Sequence, residues 1–217
     1  MTTTIPSPIL QVQGLSFAYP GQPALVTGWS TPIGAGVTLL HGDTGSGKST
    51  LLRVFAGELT ASGRLMLAGV RLDEDPAAYR RAVFWCDPAT DAFNQVTARA
   101  CTASLQEGDA RFDDACWQSL IEGFALTPHL DKPMYMLSTG SKRKVFLAAA
   151  LASGRALTLL DEPTGGLDAP SIACLWSALS RLAGRAERAV IVASAERIDR
   201  VSLVGSIEMP LPRRGAK

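Results

Sequence analysis

The stretch HGDTGSGKST, His41 to Thr50, constrains the fold more than any other part of the chain. Gly42, Gly47, Lys48 and Ser49 fit the spacing G-x-x-x-x-G-K-[ST], which works only as a turn between a strand and a helix. The flanks predict both. Gly36 to Leu40 is a short run of β-branched and leucine residues. From Ser49 to Ala56 the apolar Leu51, Leu52 and Phe55 recur at helical spacing until Gly57 stops them. Glycines let successive backbone N–H groups curl into an anion-binding nest, and the new helix adds its positive end. Lys48 can reach the β- and γ-phosphates of a nucleotide, and the Ser49 hydroxyl can ligate Mg²⁺. The candidate phosphate site is thus Gly42, Asp43, Thr44, Gly45, Ser46, Gly47, Lys48, Ser49 and Thr50.

A phosphate turn needs a metal partner, and LTLLDEPTGGLD supplies one. Leu157 to Leu160, three leucines and a threonine, predict a buried strand. It delivers Asp161 and Glu162 at its C-terminal edge, where open α/β sheets hold their ligands. Asp161 would hold Mg²⁺, through water. Glu162 would stand beside the γ-phosphate and polarise the attacking water.

Elsewhere the patterning predicts strands over Ile9 to Tyr19 (broken at Gly14), Arg64 to Leu67, Ala82 to Trp85, Ala189 to Ala193 and Val204 to Met209. Helical spacing recurs through Thr97 to Phe124, with Asp113 and Asp114 early in one helix, where the macrodipole favours acid. Further helices are predicted over Ser141 to Ala152 and Pro170 to Leu182. The two ends therefore read as α/β and the middle as helical. The tails, Met1 to Pro8 and Pro210 to Lys217, read as loose.

On these residues the chain resembles the nucleotide-binding subunit of an ATP-binding cassette (ABC) transporter. LDEPTGGLD matches that family's Walker B and D-loop pattern, with Asp168 as the D-loop aspartate. LSTGS, Leu137 to Ser141, resembles the LSGGQ signature and lies upstream of Walker B, as in the family. Tyr19 matches the aromatic that stacks on adenine. The resemblance implies a P-loop NTPase, an α/β ABC-type ATPase core with an inserted helical subdomain. One ATP-binding domain would cover 1–217, with the core at about 1–87 and 155–217 and the helical part at about 88–154. It implies ATP and Mg²⁺ as cofactors and Lys48 and Glu162 as catalytic residues. It implies homo- or hetero-dimers of cassettes paired head to tail. Ser138 and Gly140 of one would then face the ATP of the other, beside Asp168. It also implies a separate transmembrane permease subunit and a cytoplasmic, peripheral location on the inner face of the membrane.

Three positions depart from the family pattern. Asp87 stands where the family carries a glutamine that senses Mg²⁺; a carboxylate there can still hold a hydrated metal. Gln95 is close in sequence but matches a later part of that loop. The signature ends in Ser141, which keeps the helix dipole. After AVIVA the family shows a histidine that contacts the γ-phosphate, and here Ala195 fills the place. Neither His41, read as a strand-end packing residue, nor His129, read as a surface loop residue, easily substitutes for it. Losing one positioned group commonly costs about 10²–10³ in rate, so a slow ATPase is expected. The alternative is a hydrolysis-impaired, nucleotide-gated clamp or regulatory module, such as the degenerate half of a hetero-pair.

Composition sets the outer bounds. Charged residues make up 19% of the 217 and the net charge is +1, so no basic surface for nucleic acid is expected. MTTTIPSPI has no basic n-region, so no signal peptide is expected. The longest plainly apolar run, Val145 to Ala152, is far too short to cross a bilayer. Cys86, Cys101, Cys116 and Cys174 form no C-x-x-C pair and read as reduced cytosolic thiols, not a zinc site. The basic run Lys142 to Lys144 reads as a solvated helix face, with Lys144 at a position that is commonly basic in the family. The tail PRRGAK carries too few charges for confident lipid recognition. Phe84, Trp85 and Phe93 are candidates for apolar contact with a membrane partner, with core packing the simpler reading for the first two.

Overall fold

The computed structural model describes residues 7–87, 89–183 and 187–211. Residues 1–6 and 212–217, the parts read as loose tail, lie outside them, and with them the PRRGAK segment. Leu211, in the expected loose stretch, is buried instead.

Two sheets meet in the α/β fold. An antiparallel sheet has the order β2 (Val26–Ile33), β1 (Leu10–Phe17), β4 (Ser62–Leu67), β5 (Val70–Arg71). A parallel sheet has the order β6 (Val83–Phe84), β7 (Leu157–Asp161), β8 (Ala189–Ser194), β3 (Gly36–His41), β9 (Leu203–Glu208). The helices are α1 (Lys48–Phe55), α2 (Pro76–Arg81), α3 (Ala98–Gln106), α4 (Asp114–Gly123), α5 (Thr139–Ala152) and α6 (Ala169–Leu182).

The parallel sheet is covered on both faces, which is why β7 and β8 are mostly apolar and buried along their length, Thr158 of β7 included. On one face Leu40, Ile191 and Ala193 pack with α1 and with Leu10, Val12 and Leu67 of the antiparallel sheet. On the other, Val37, Val190 and Val192 pack with residues of α3, α4, α5 and α6. The register pairs Asp161 with Ala193 and His41 with Ser194. The phosphate turn, the Asp161-Glu162 pair and Ala195 therefore all leave the sheet at one edge.

Some elements differ from the sequence pattern. β1 passes through Gly14 as one strand with a shifted register rather than two strands. β2 was not predicted, because Gly28 and Pro32 interrupt its alternation; as an edge strand it tolerates proline. α2 is too short to show a helical period, although Asp75 caps it by accepting from Ala78 N and Pro76 opens it. α5 starts two residues before the predicted Ser141 because Ser138, not Ser141, is its cap.

Candidate functional site

Helix starts define the site by contrast. Asp75, Thr97, Asp113, Ser138 and Asp168 each accept a backbone N–H at the start of α2, α3, α4, α5 and α6. At α1 the cap position is Gly47, in the left-handed region at φ 97°, and no side chain caps the helix. At that φ a side chain is strained, and a β-carbon at Gly47 would also lie 2.2 Å from Leu25 Cδ1, so the bend favours glycine. The first-turn N–H groups of α1 have no partner further up the helix and are free to bind an anion.

Lys48, only 5% exposed, donates from Nζ to the carbonyls of Gly42 (2.7 Å) and Asp43 (3.1 Å). The same Nζ lies 3.1 Å from Glu162 Oε1. The phosphate turn and the acid after β7, remote in sequence, are thus in direct contact. A phosphate group would compete with those two carbonyls and with Glu162 for the ammonium.

Asp161 ends β7. Its Oδ1 is buried with no hydrogen-bond partner. Burial pushes its carboxyl above the usual range, against a hydrogen bond from Ser49 that lowers it; Glu162 and Asp87 push it up further and Lys48 down. An unpartnered buried carboxylate oxygen beside a hydroxyl is a hard-oxygen donor pair that suits Mg²⁺. Among the described residues no three His, Cys, Asp or Glu side chains could hold a metal together, so a cation here needs phosphate or water oxygens as well. Asp87 is exposed just past β6, and its Oδ1 accepts from Ala89 N at 2.8 Å.

Tyr19 sits beyond β1 with its ring edge-on to Phe17, centroids 5.0 Å apart, and its hydroxyl 3.2 Å from Thr50 Oγ1. It lines an open groove with Leu25, Gly45, Gly47 and Thr50. At 37% exposed, its ring remains accessible for stacking.

The segment Leu137 to Ser141 packs against the chain's own loop after Glu162. A β-carbon on Gly140 would lie 2.4 Å from the Gly166 carbonyl oxygen. Asp168 caps α6 and pairs with Lys144 at 2.7 Å, and these bonds hold its carboxyl well below the usual carboxylate range.

Three readings of the sequence need correction. Lys142 to Lys144 is not a solvated face. Lys142 Nζ donates to Asn94 Oδ1 (2.7 Å), Arg143 Nη1 to the Glu162 carbonyl (2.6 Å) and Lys144 to Asp168. The core-packing reading holds for Phe84, buried under the Arg155 guanidinium, and for Trp85, partly buried against the core, whereas Phe93, read as a candidate for partner contact, lies against Phe146 with centroids 6.2 Å apart. These rings are engaged inside the chain; the exposed apolar residues nearby are Val96, Tyr135 and Met136. His41 ends β3 with Nδ1 2.8 Å from Glu208 Oε2, within hydrogen-bond reach of β9 rather than plain packing. His129 is half-buried in a short 3₁₀ turn. Ala195 follows β8 directly, and Gln95 is exposed. The contact of Arg143 with Glu162 was legible only as the anonymous run KRK.

Comparison with known proteins gives a consistent picture. The family model for ABC transporters matches residues 32–165. The cobalt import ATP-binding protein CbiO of Rhodobacter capsulatus is 34% identical over 174 residues, 75% of this chain and 61% of that protein. The chain thus spans less than two thirds of that relative. The zinc import ATP-binding protein ZnuC of Halorhodospira halophila is 31% identical over 189 residues, 86% of this chain and 68% of that protein. A solved ATP-binding subunit of an ABC transporter superposes with a TM-score of 0.73 at 22% identity, covering 85% of this chain and 79% of that one.

Proposed function

This chain belongs to the ABC transporter family, and from that membership we propose that it is an ATP-binding subunit that hydrolyses ATP slowly and energises a transporter. Its membrane-spanning permease would be a separate chain, which would hold it at the inner face of the membrane. Among the described residues no helix is long and apolar enough to cross a membrane.

The observation that carries the reading is the contact of Lys48 with Glu162 beside an uncapped helix start. The triphosphate binds to the N–H groups of α1 and to Lys48, with adenine against Tyr19. Ser49 and, through water, Asp161 would hold Mg²⁺, which would supply charge neutralisation for the phosphates. Glu162, released from Lys48 by the phosphate, polarises the attacking water. Ser138 and Gly140 of a second cassette close over the nucleotide. ATP drives that closure only by binding the closed pair more tightly than the open one.

Ala195 favours a second reading, a clamp that closes on ATP without useful turnover. Alanine offers no donor to the γ-phosphate. Both readings require ATP to bind at Lys48. Titration with Mg·ATP is expected to show affinity about 10–100-fold weaker for Lys48→Ala, the worth of a charged hydrogen bond. Equal affinity in the two proteins would remove the basis of both.

A further inference from the structure

We propose that Arg143 is a positioning residue for Glu162, linking the helix that begins at the LSTGS segment to the carboxylate that polarises water. The proposal rests on the reading of Glu162 given above.

Glu162 is a non-glycine residue in the left-handed region, φ 41°. A side chain there is strained and stays only where its surroundings hold the peptide on both sides. The Glu162 N–H donates to the Ala193 carbonyl of β8 at 2.9 Å. Its carbonyl accepts from Gly165 N at 3.1 Å and from Arg143 Nη1 at 2.6 Å. Two of these bonds are backbone bonds available to any sequence. The third is a charge-assisted bond from a specific side chain, the stronger kind.

The approach of Arg143 is tight. A β-carbon on Gly165 would lie 2.4 Å from Arg143 Nη1, so the glycine makes room for the guanidinium. The next residue of α5, Lys144, pairs with Asp168 at the far end of the same loop. Consecutive residues of one helix therefore grip both ends of the segment 162–168. That helix is capped by Ser138 and touches Gly166 through Gly140. A shift of the LSTGS segment on meeting a partner's nucleotide pulls on the Glu162 peptide. Rotation of that peptide would carry the carboxylate away from Lys48. Nothing in this arrangement touches ATP through Arg143, so its loss acts on the chemical step and spares binding.

The test compares the full-length chain with Arg143→Ala and Arg143→Lys. Steady-state ATPase is measured against Glu162→Gln, together with hydrogen exchange of peptides covering 161–168. For Arg143→Ala, kcat is expected to fall about 10–100-fold, the scale of a misplaced reacting group, with KM for ATP within about twofold. Arg143→Lys keeps the charge without the planar fork and should fall between. Exchange should quicken in 162–168 and stay unchanged in β3 and β8. An unchanged kcat would overturn the proposal. So would exchange quickened throughout the molecule, with kcat and KM both altered, which marks a general loss of stability. If the unsubstituted chain does not exceed Glu162→Gln, the reading of Glu162 itself fails. Hydrogen exchange then judges the grip alone: quickening confined to 162–168 upholds it, and no change overturns it.

Discussion

Ala195 sits directly after β8, whose last residues pair with the ends of β3 and β7. A polar side chain there would point from the edge where the phosphate turn and Asp161 emerge. Ala195→His is therefore expected to raise kcat about 10-fold or more, since one positioned donor or proton acceptor is worth that much or more in a preorganised site. Steady-state turnover checks it; an unchanged rate would show that the rate is set elsewhere. Cys101 is a second residue whose chemistry follows from its place. Burial pushes its thiol up to about 12. The neutral form is thus favoured by folding, and its contribution to stability is present below the ordinary thiol range and lost as pH rises through about 12. At pH 8 its thiolate should be about 10³-fold scarcer than that of an ordinary thiol. Alkylation at that pH, mapped by mass spectrometry, should label Cys101 only after denaturation. At this scale much of the site could be read directly. The spacing around Lys48 and the acids at the end of an apolar run are local signals, and the fold brings Lys48 and Glu162 to 3.1 Å. The grip of Arg143 could not be read, because nothing in KRK says which of three cations meets which loop.

Helix starts explain the success and failure of the element boundaries. Asp113 with Asp114 announced α4, and Asp113 is its cap. The start of α5 was misplaced because Ser138 and Ser141 are both able to cap, and the backbone geometry chose Ser138, whose Oγ accepts from Ser141 N at 3.1 Å. Removing that bond with Ser138→Ala should cost about 1 kcal/mol, a fall in Tm of about 2–4 °C for a chain of this size. Thermal unfolding measures it, and Ser141→Ala should cost less. β2 and α2 escaped for different reasons. β2 takes its stability from pairing with β1 rather than from its own pattern, and six residues of α2 cannot display a period.

Among the described residues, the parallel sheet has apolar cover on both faces, and at its C-terminal edge the phosphate turn meets the acids after β7, Lys48 against Glu162. That contact brings a motif in the first quarter of the chain against another in its last third. The fold class was legible because a strand, a glycine turn and a helix leave few alternatives. The packing of the LSTGS segment against the chain's own 162–168 loop was not, since it depends on long-range contacts that no local pattern records. On the function proposed above, this unit turns ATP over, slowly, through Glu162. The most direct measurement is steady-state ATP hydrolysis by the purified chain beside its Glu162→Gln variant. Turnover is expected to be low for a phosphoryl-transfer enzyme, below about 1 s⁻¹, yet clearly above the variant. Equal rates in the two proteins, with Mg·ATP still bound, would contradict it and leave a nucleotide clamp.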